Sequence, residues 1–145
     1  MQPGPFLSLE EVNSLVPELT RVVAEQLERR ERIESMLDEL ASSSGQRRGD
    51  VTPRSSDTEH VREAKRAVLA EVEQYQDGWN RVERLGGVLK DPRTGLVDFY
   101  GFVDGRTVWL CWKYGETAVT HYHPLDQGFD GRKRIDDASR RILLN

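Results

Sequence analysis

Cysteine is almost missing: Cys111 is the one cysteine in 145 residues. That excludes an internal disulfide framework and any zinc site built on several thiolates. Long apolar runs are missing too. No stretch approaches the ~20 consecutive apolar residues of a membrane-spanning helix, so a transmembrane protein is excluded. The opening Met1-Gln2-Pro3-Gly4-Pro5 has neither the basic nor the apolar region of a secretory signal, and a cytoplasmic location is expected. Apolar residues are scarce at 37% and charged ones plentiful at 32%, the mix of long solvated helices around a modest core. Basic excess is also lacking. Asp and Glu number 25 against 21 Lys and Arg, a net charge of −4, so nucleic acid is not an expected partner. Nor is there a P-loop, a Gly-x-Gly-x-x-Gly, a nucleophile elbow, a His-Glu-x-x-His or a Cys-x-x-Cys.

The length fits one domain. Charge within it is uneven. Residues 1–41 carry nine acids and four bases, whereas residues 132–145 carry five bases and two acids. Opposite-sign ends favour contact between subunits or between the termini, although such runs are ordinarily solvated faces.

The first half has a helical period. Ser8 and Glu11 have capping-box spacing. Val12, Leu15, Val16, Leu19, Val22, Val23, Leu27, Ile33, Leu37 and Leu40 then recur at three- and four-residue steps, predicting helix over about 8–41. Pro17 implies a kink, a short helix ending before it, or a new helix starting on it. Residues 42–57 contain one apolar side chain and predict a loop or locally disordered linker. A second stripe, Val61, Ala64, Val68, Val72, Tyr75, Trp79, Val82 and Leu85, predicts helix over about 58–85, stopped by Gly86-Gly87. Two such helices form an antiparallel pair that needs a further layer, supplied by the rest of the chain or by a second copy. A homodimer completing a four-helix bundle is the expected partner.

The second half, 88–132, has the strand period. Asp91-Pro92-Arg93-Thr94-Gly95 is turn chemistry, and Asp104-Gly105 between two aromatic and β-branched runs is a hairpin signal. A two-residue turn pairs Val103 with Arg106 and sets Phe99 opposite Leu110 and Asp98 opposite Cys111. One face then carries Val97, Phe99, Val103, Val108, Leu110 and Trp112, a core face. The other carries Asp98, Tyr100, Phe102, Trp109 and Cys111. A third strand, Thr117–Tyr122, completes a three-stranded meander, followed by a glycine-containing loop and a short terminal helix at about 135–144.

Groups able to do chemistry gather in and after this meander: Asp98, Cys111, Glu116, His121, His123 and Asp126. His121 and His123 lie two apart on an extended segment and share a face. With one or two carboxylates they suit Zn²⁺, Fe²⁺ or Mn²⁺. A two- or four-residue second loop puts them on the apolar face, and a three-residue loop puts them with Asp98 and Cys111. The sequence leaves that open. Each group also has a structural reading: a satisfied strand histidine, an Asp98–Arg132 ion pair, Cys111 as a small buried hydrophobe, Glu116 as a turn residue.

The order Phe6-x-Leu-x-Glu10-Glu11-x-Asn13-x-Leu15-x-Pro17, Lys90-Asp91-Pro92-x-x-Gly95-Leu96-Val97-Asp98-Phe99, Leu110-Cys111-Trp112-x-x-Gly115-Glu116, Tyr122-His123 and Gly128-Phe129-x-Gly131-Arg132 resembles the bacterial domain-of-unknown-function family 2203. The resemblance runs from Phe6 to Arg132. It implies a small prokaryotic cytoplasmic protein with a helical first part and a strand-rich second part, and it implies no activity. Asn13, Asp98, Cys111, Glu116, His123 and Arg132 are the polar positions inside its motifs. His121 falls outside them, where an aromatic is more usual.

The expected protein is thus a single α+β domain over 1–145. It binds a divalent metal through Asp98, Glu116, His123 and Asp126, or a small anion through Arg132. A dimeric scaffold acting through the helical pair is the alternative, and an acid–base enzyme built on Asp98, Glu116 and a histidine trails both.

Overall fold

The structure is a computed structural model that describes residues 5–135. Helix α1 (Leu9–Ser44) and helix α2 (Glu59–Arg84) form the antiparallel pair. Strands β1 (Val88–Asp91), β2 (Leu96–Val103), β3 (Arg106–Lys113), β4 (His121–Pro124) and β5 (Lys133–Arg134) follow, with a single 3₁₀ turn at Phe129–Gly131 before β5. None of the described helices is long and apolar enough to cross a membrane.

Helix α1 begins where its capping box sits. The Ser8 hydroxyl accepts from the Glu11 amide at 3.0 Å, and the Glu11 carboxylate accepts from the Ser8 amide at 2.9 Å. It ends at Gly45, whose φ of +70° suits a left-handed cap. The helix runs unbroken through Pro17, so the helix boundary considered there is absent. Pro17 is exposed, and the one amide it lacks frees only the Asn13 carbonyl. Buried Val16 and Leu19 anchor the chain on either side of it.

Beyond the helix end at Ser44 the linker is a loop, one of the two readings from composition, and its polar groups pair with one another. Asp57 accepts from Lys65 Nζ at 2.9 Å, from Gln46 Nε2 at 2.9 Å and from the Arg54 amide at 2.8 Å. Lys65, fully buried, also donates to the Thr52 carbonyl at 2.8 Å. The Lys65 ammonium, with Gln46 next, holds the Asp57 carboxyl down at about 2. Counting apolar side chains misses this segment because an ion pair and its hydrogen bonds order it. The knot caps a small apolar cluster of Leu40, Val61 and Val68, against which Val51 packs.

The sheet is antiparallel with strand order β1-β2-β3-β4-β5. Among the described residues it has five strands, not three: β1 precedes the Asp91–Gly95 turn in residues given no strand of their own, and β5 is only two residues long. The hairpin register is as expected. Asp104 (φ 52°) and Gly105 (φ 75°) make the two-residue turn with positive φ at both positions, and Val103 faces Arg106, Phe99 Leu110 and Asp98 Cys111. The face bearing Val97, Phe99, Val103, Val108, Leu110 and Trp112 packs on Leu9, Val12, Val16, Leu19, Val22 and Val23 of α1 and Val82 of α2. This main core ends near Leu27, so the outer half of the helical pair stands beyond the sheet.

The third strand of the sequence reading is displaced. It is β4, His121–Pro124, and residues 114–120 form a loop before it. The loop is pinned by Trp112 Nε1 donating to the Glu116 carbonyl (2.9 Å) and by the Val119 amide donating to Asn13 Oδ1 of α1 (2.7 Å). Apart from Ile135, the terminal helix expected over 135–144 lies outside the described residues.

Candidate metal centre

Antiparallel strands put directly opposed residues on one side of a sheet. Asp98 faces Cys111, Cys111 faces His121, and Trp109 faces His123. The loop 114–120 therefore delivers both histidines to the face of Asp98 and Cys111, away from the helices. Of the two open alternatives, this is the one a three-residue turn would have given.

On that face His123 Nε2 lies 2.8 Å from Asp98 Oδ2, reaching over β3. Its other ring nitrogen, Nδ1, is 3.0 Å from the Pro124 carbonyl oxygen. A carbonyl only accepts, so Nδ1 carries a hydrogen and Nε2 is turned to Asp98. Cys111 completes a cluster in which one donor atom from each of Asp98, Cys111 and His123 lies within 4.8 Å of the others. Each residue is at most 1% exposed. Asp98 Oδ1 is buried and has no hydrogen-bond partner among the described residues. The protonated Cys111 thiol is the donor nearest to this carboxylate, and a thiol is a weak one.

The electrostatics follow from burial. Desolvation raises the Asp98 carboxyl above its ordinary value, against the opposing pull of His123. Burial, then the charge of Asp98, pushes the Cys111 thiol up to about 12. At neutral pH the sulfur keeps its proton and is no free nucleophile, although a coordinated metal ion would deprotonate it. His121 is shifted down by burial and then by Arg132, which favours the neutral, ligating imidazole.

The remaining expected site residues are placed differently. Arg132 donates to Glu116 Oε2 at 2.7 Å, and the Lys113 amide donates to Glu116 Oε1 at 2.7 Å, so that carboxylate is engaged on both oxygens. Arg132 also stacks on Phe129, its guanidinium carbon 4.6 Å from the ring centre. The pair closes the loop end of the face, and neither residue joins the Asp98 cluster. Asp126 is exposed and outside the cluster. Asp98 and His123 come together as expected, without Glu116 and Asp126. The third member is Cys111, read from the sequence as a small hydrophobe. Its signal was present in the Asp-Gly turn, whose register sets it opposite Asp98.

An α+β protein of this kind has an apolar face on its helices and a buried Asp–Cys–His centre on the other side of its sheet. The chain belongs to a family of uncharacterized conserved proteins, domain-of-unknown-function family 2203 (DUF2203), whose model matches residues 6–135. No curated protein and no solved structure matches the chain.

Proposed function

We propose that this protein binds a divalent transition metal, zinc by preference, through Asp98 Oδ1, Cys111 Sγ and His123 Nε2. One observation carries the reading: three buried residues of mixed type bring donor atoms within 4.8 Å of one another, and the Asp98 carboxylate among them keeps one oxygen, Oδ1, without a partner among the described residues. Thiolate, imidazole and carboxylate together suit Zn²⁺ better than Mg²⁺ or Ca²⁺, which take oxygen ligands. The Pro124 carbonyl supports the same reading. A metal-bound histidine typically donates its second N–H to such an acceptor, which fixes ring and tautomer. In the reducing cytoplasm expected from the sequence, a lone thiol stays reduced and available as a ligand.

Elemental analysis of untagged, freshly purified protein tests it. Near-stoichiometric zinc that is lost in both Cys111→Ser and His123→Ala supports the site. Protein that is metal-free, and stays so after dialysis against micromolar Zn²⁺, removes it.

A second reading concerns the outer half of the helical pair, where Leu69 is 40% exposed beyond the reach of the sheet. Pairing of this half with a second copy makes a four-helix bundle and a dimeric scaffold. Light scattering of wild type against Leu69→Glu tests it, and a wild-type monomer rejects it.

A further inference from the structure

We propose that His121 is the fourth protein ligand of the Asp98–Cys111–His123 site, making it a closed centre that holds zinc for structure and admits no metal-bound water. The inference rests on the metal reading above and adds to it the class of site.

Structural zinc takes four protein donors, whereas catalytic zinc keeps three and an open position. Around the cluster, most groups on the face are spent or of the wrong sign. The Lys90 ammonium sits 3.8 Å above the Trp109 ring, and Lys113 and Arg132 lie over Phe129. The Glu116 carboxylate is bonded through both oxygens. Tyr100 packs on Trp109, ring centres 4.1 Å apart, one row away from Cys111.

His121 is different. It stands directly opposite Cys111 in the β3–β4 ladder, a relation that sets Cβ atoms about 4.5–5.5 Å apart on one face. Its Nδ1 is 2.8 Å from the Thr120 hydroxyl, and Nε2 has no hydrogen-bond partner among the described residues. With Nδ1–H donating to Thr120, Nε2 presents its lone pair, the arrangement a ligand needs. The ring is half-buried and is not among the donors already within 4.8 Å of one another, so ligation requires it to turn towards Cys111. Asp98, Cys111 and His121 would then form a row across β2, β3 and β4, with His123 closing the fourth corner from the next row.

Cobalt is the probe. Metal-stripped full-length protein is titrated with Co²⁺ and its visible spectrum recorded for wild type, His121→Ala and His121→Phe, the last keeping a ring in the strand. The expected wild type binds one Co²⁺ with the intense ligand-field bands of a four-coordinate thiolate site and does not respond to added azide. Both variants are expected to show weaker bands, an azide-sensitive spectrum, and affinity reduced by at least about tenfold, since even loss of an outer-shell partner costs ~10–100-fold. His60→Ala, on exposed α2 surface, serves as the control and is expected to match wild type. Variant spectra and affinities equal to wild type overturn the assignment of His121 and leave a three-ligand site. Failure of wild type to bind Co²⁺ overturns the metal reading itself, and His121 with it.

Discussion

His123 on β4 bonds Asp98 on β2 at 2.8 Å although the two strands are not neighbours, β3 lying between them. The imidazole spans the strand beside Cys111, and three strands are tied together on the face turned away from α1 and α2. Removing one member of a buried pair leaves its partner desolvated and unmatched. His123→Ala is therefore expected to lower stability by about 3–5 kcal/mol. Urea denaturation of the metal-free protein measures this, and a loss under ~1 kcal/mol, the range of exposed pairs, contradicts it.

Cys111 is expected to be inert in the folded state. With its thiol pushed up to about 12 by burial and by Asp98, almost no thiolate exists at pH 8. A chromogenic disulfide reagent should find no reactive thiol in native buffer and one thiol in urea. Stoichiometric labelling of native protein within minutes is the contrary result.

Asp57 and Asp98 are expected to act on acid stability with opposite signs. The folded Asp57 carboxyl titrates at about 2, below its ordinary 3.8, so its contribution is present above 3.8 and is lost as pH falls towards 2. The folded Asp98 carboxyl is raised, so its contribution is present below 3.8 and is lost as pH rises through its higher folded value. Urea midpoints measured against pH should therefore fall less steeply on acidification in Asp57→Asn than in wild type, and more steeply in Asp98→Asn. Parallel curves for all three proteins would remove the Asp57–Lys65 knot as a source of acid sensitivity.

Gly78 is expected to resist replacement despite its place inside α2. A Cβ there would fall 2.2–2.7 Å from the side-chain amide of Gln26, which is itself fully buried between the helices. Alanine gains about 1 kcal/mol of helix propensity but overpacks this contact at a cost of about 1–3 kcal/mol. Gly78→Ala should thus be neutral to destabilising by thermal denaturation, and more stabilising when Gln26→Ala is already present. Equal effects in both backgrounds would show that the two residues do not compete for the space.

The outlines of both helices, the Asp-Gly hairpin and the division of its residues between two faces were legible in the sequence. Each is written by neighbours in the chain: a capping box at Ser8–Glu11, a period of 3.6, a period of 2, and a turn that fixes register. Asp98 opposite Cys111 followed from that turn alone. What the tertiary structure decided is longer in range. The loop 114–120 is held partly by Val119 donating to Asn13, 106 residues earlier, and the loop sets which face receives His121 and His123. Glu116 left the expected ligand set because Arg132, brought back by the turn at Phe129, takes it. The ion pair inside the linker was not legible for the same reason. Lys65 and Asp57 look like surface charges one at a time, and only folding shows that they are buried together. Local pattern fixes an element and its apolar side, whereas polar partners meet through closure of the whole chain, which no local period encodes.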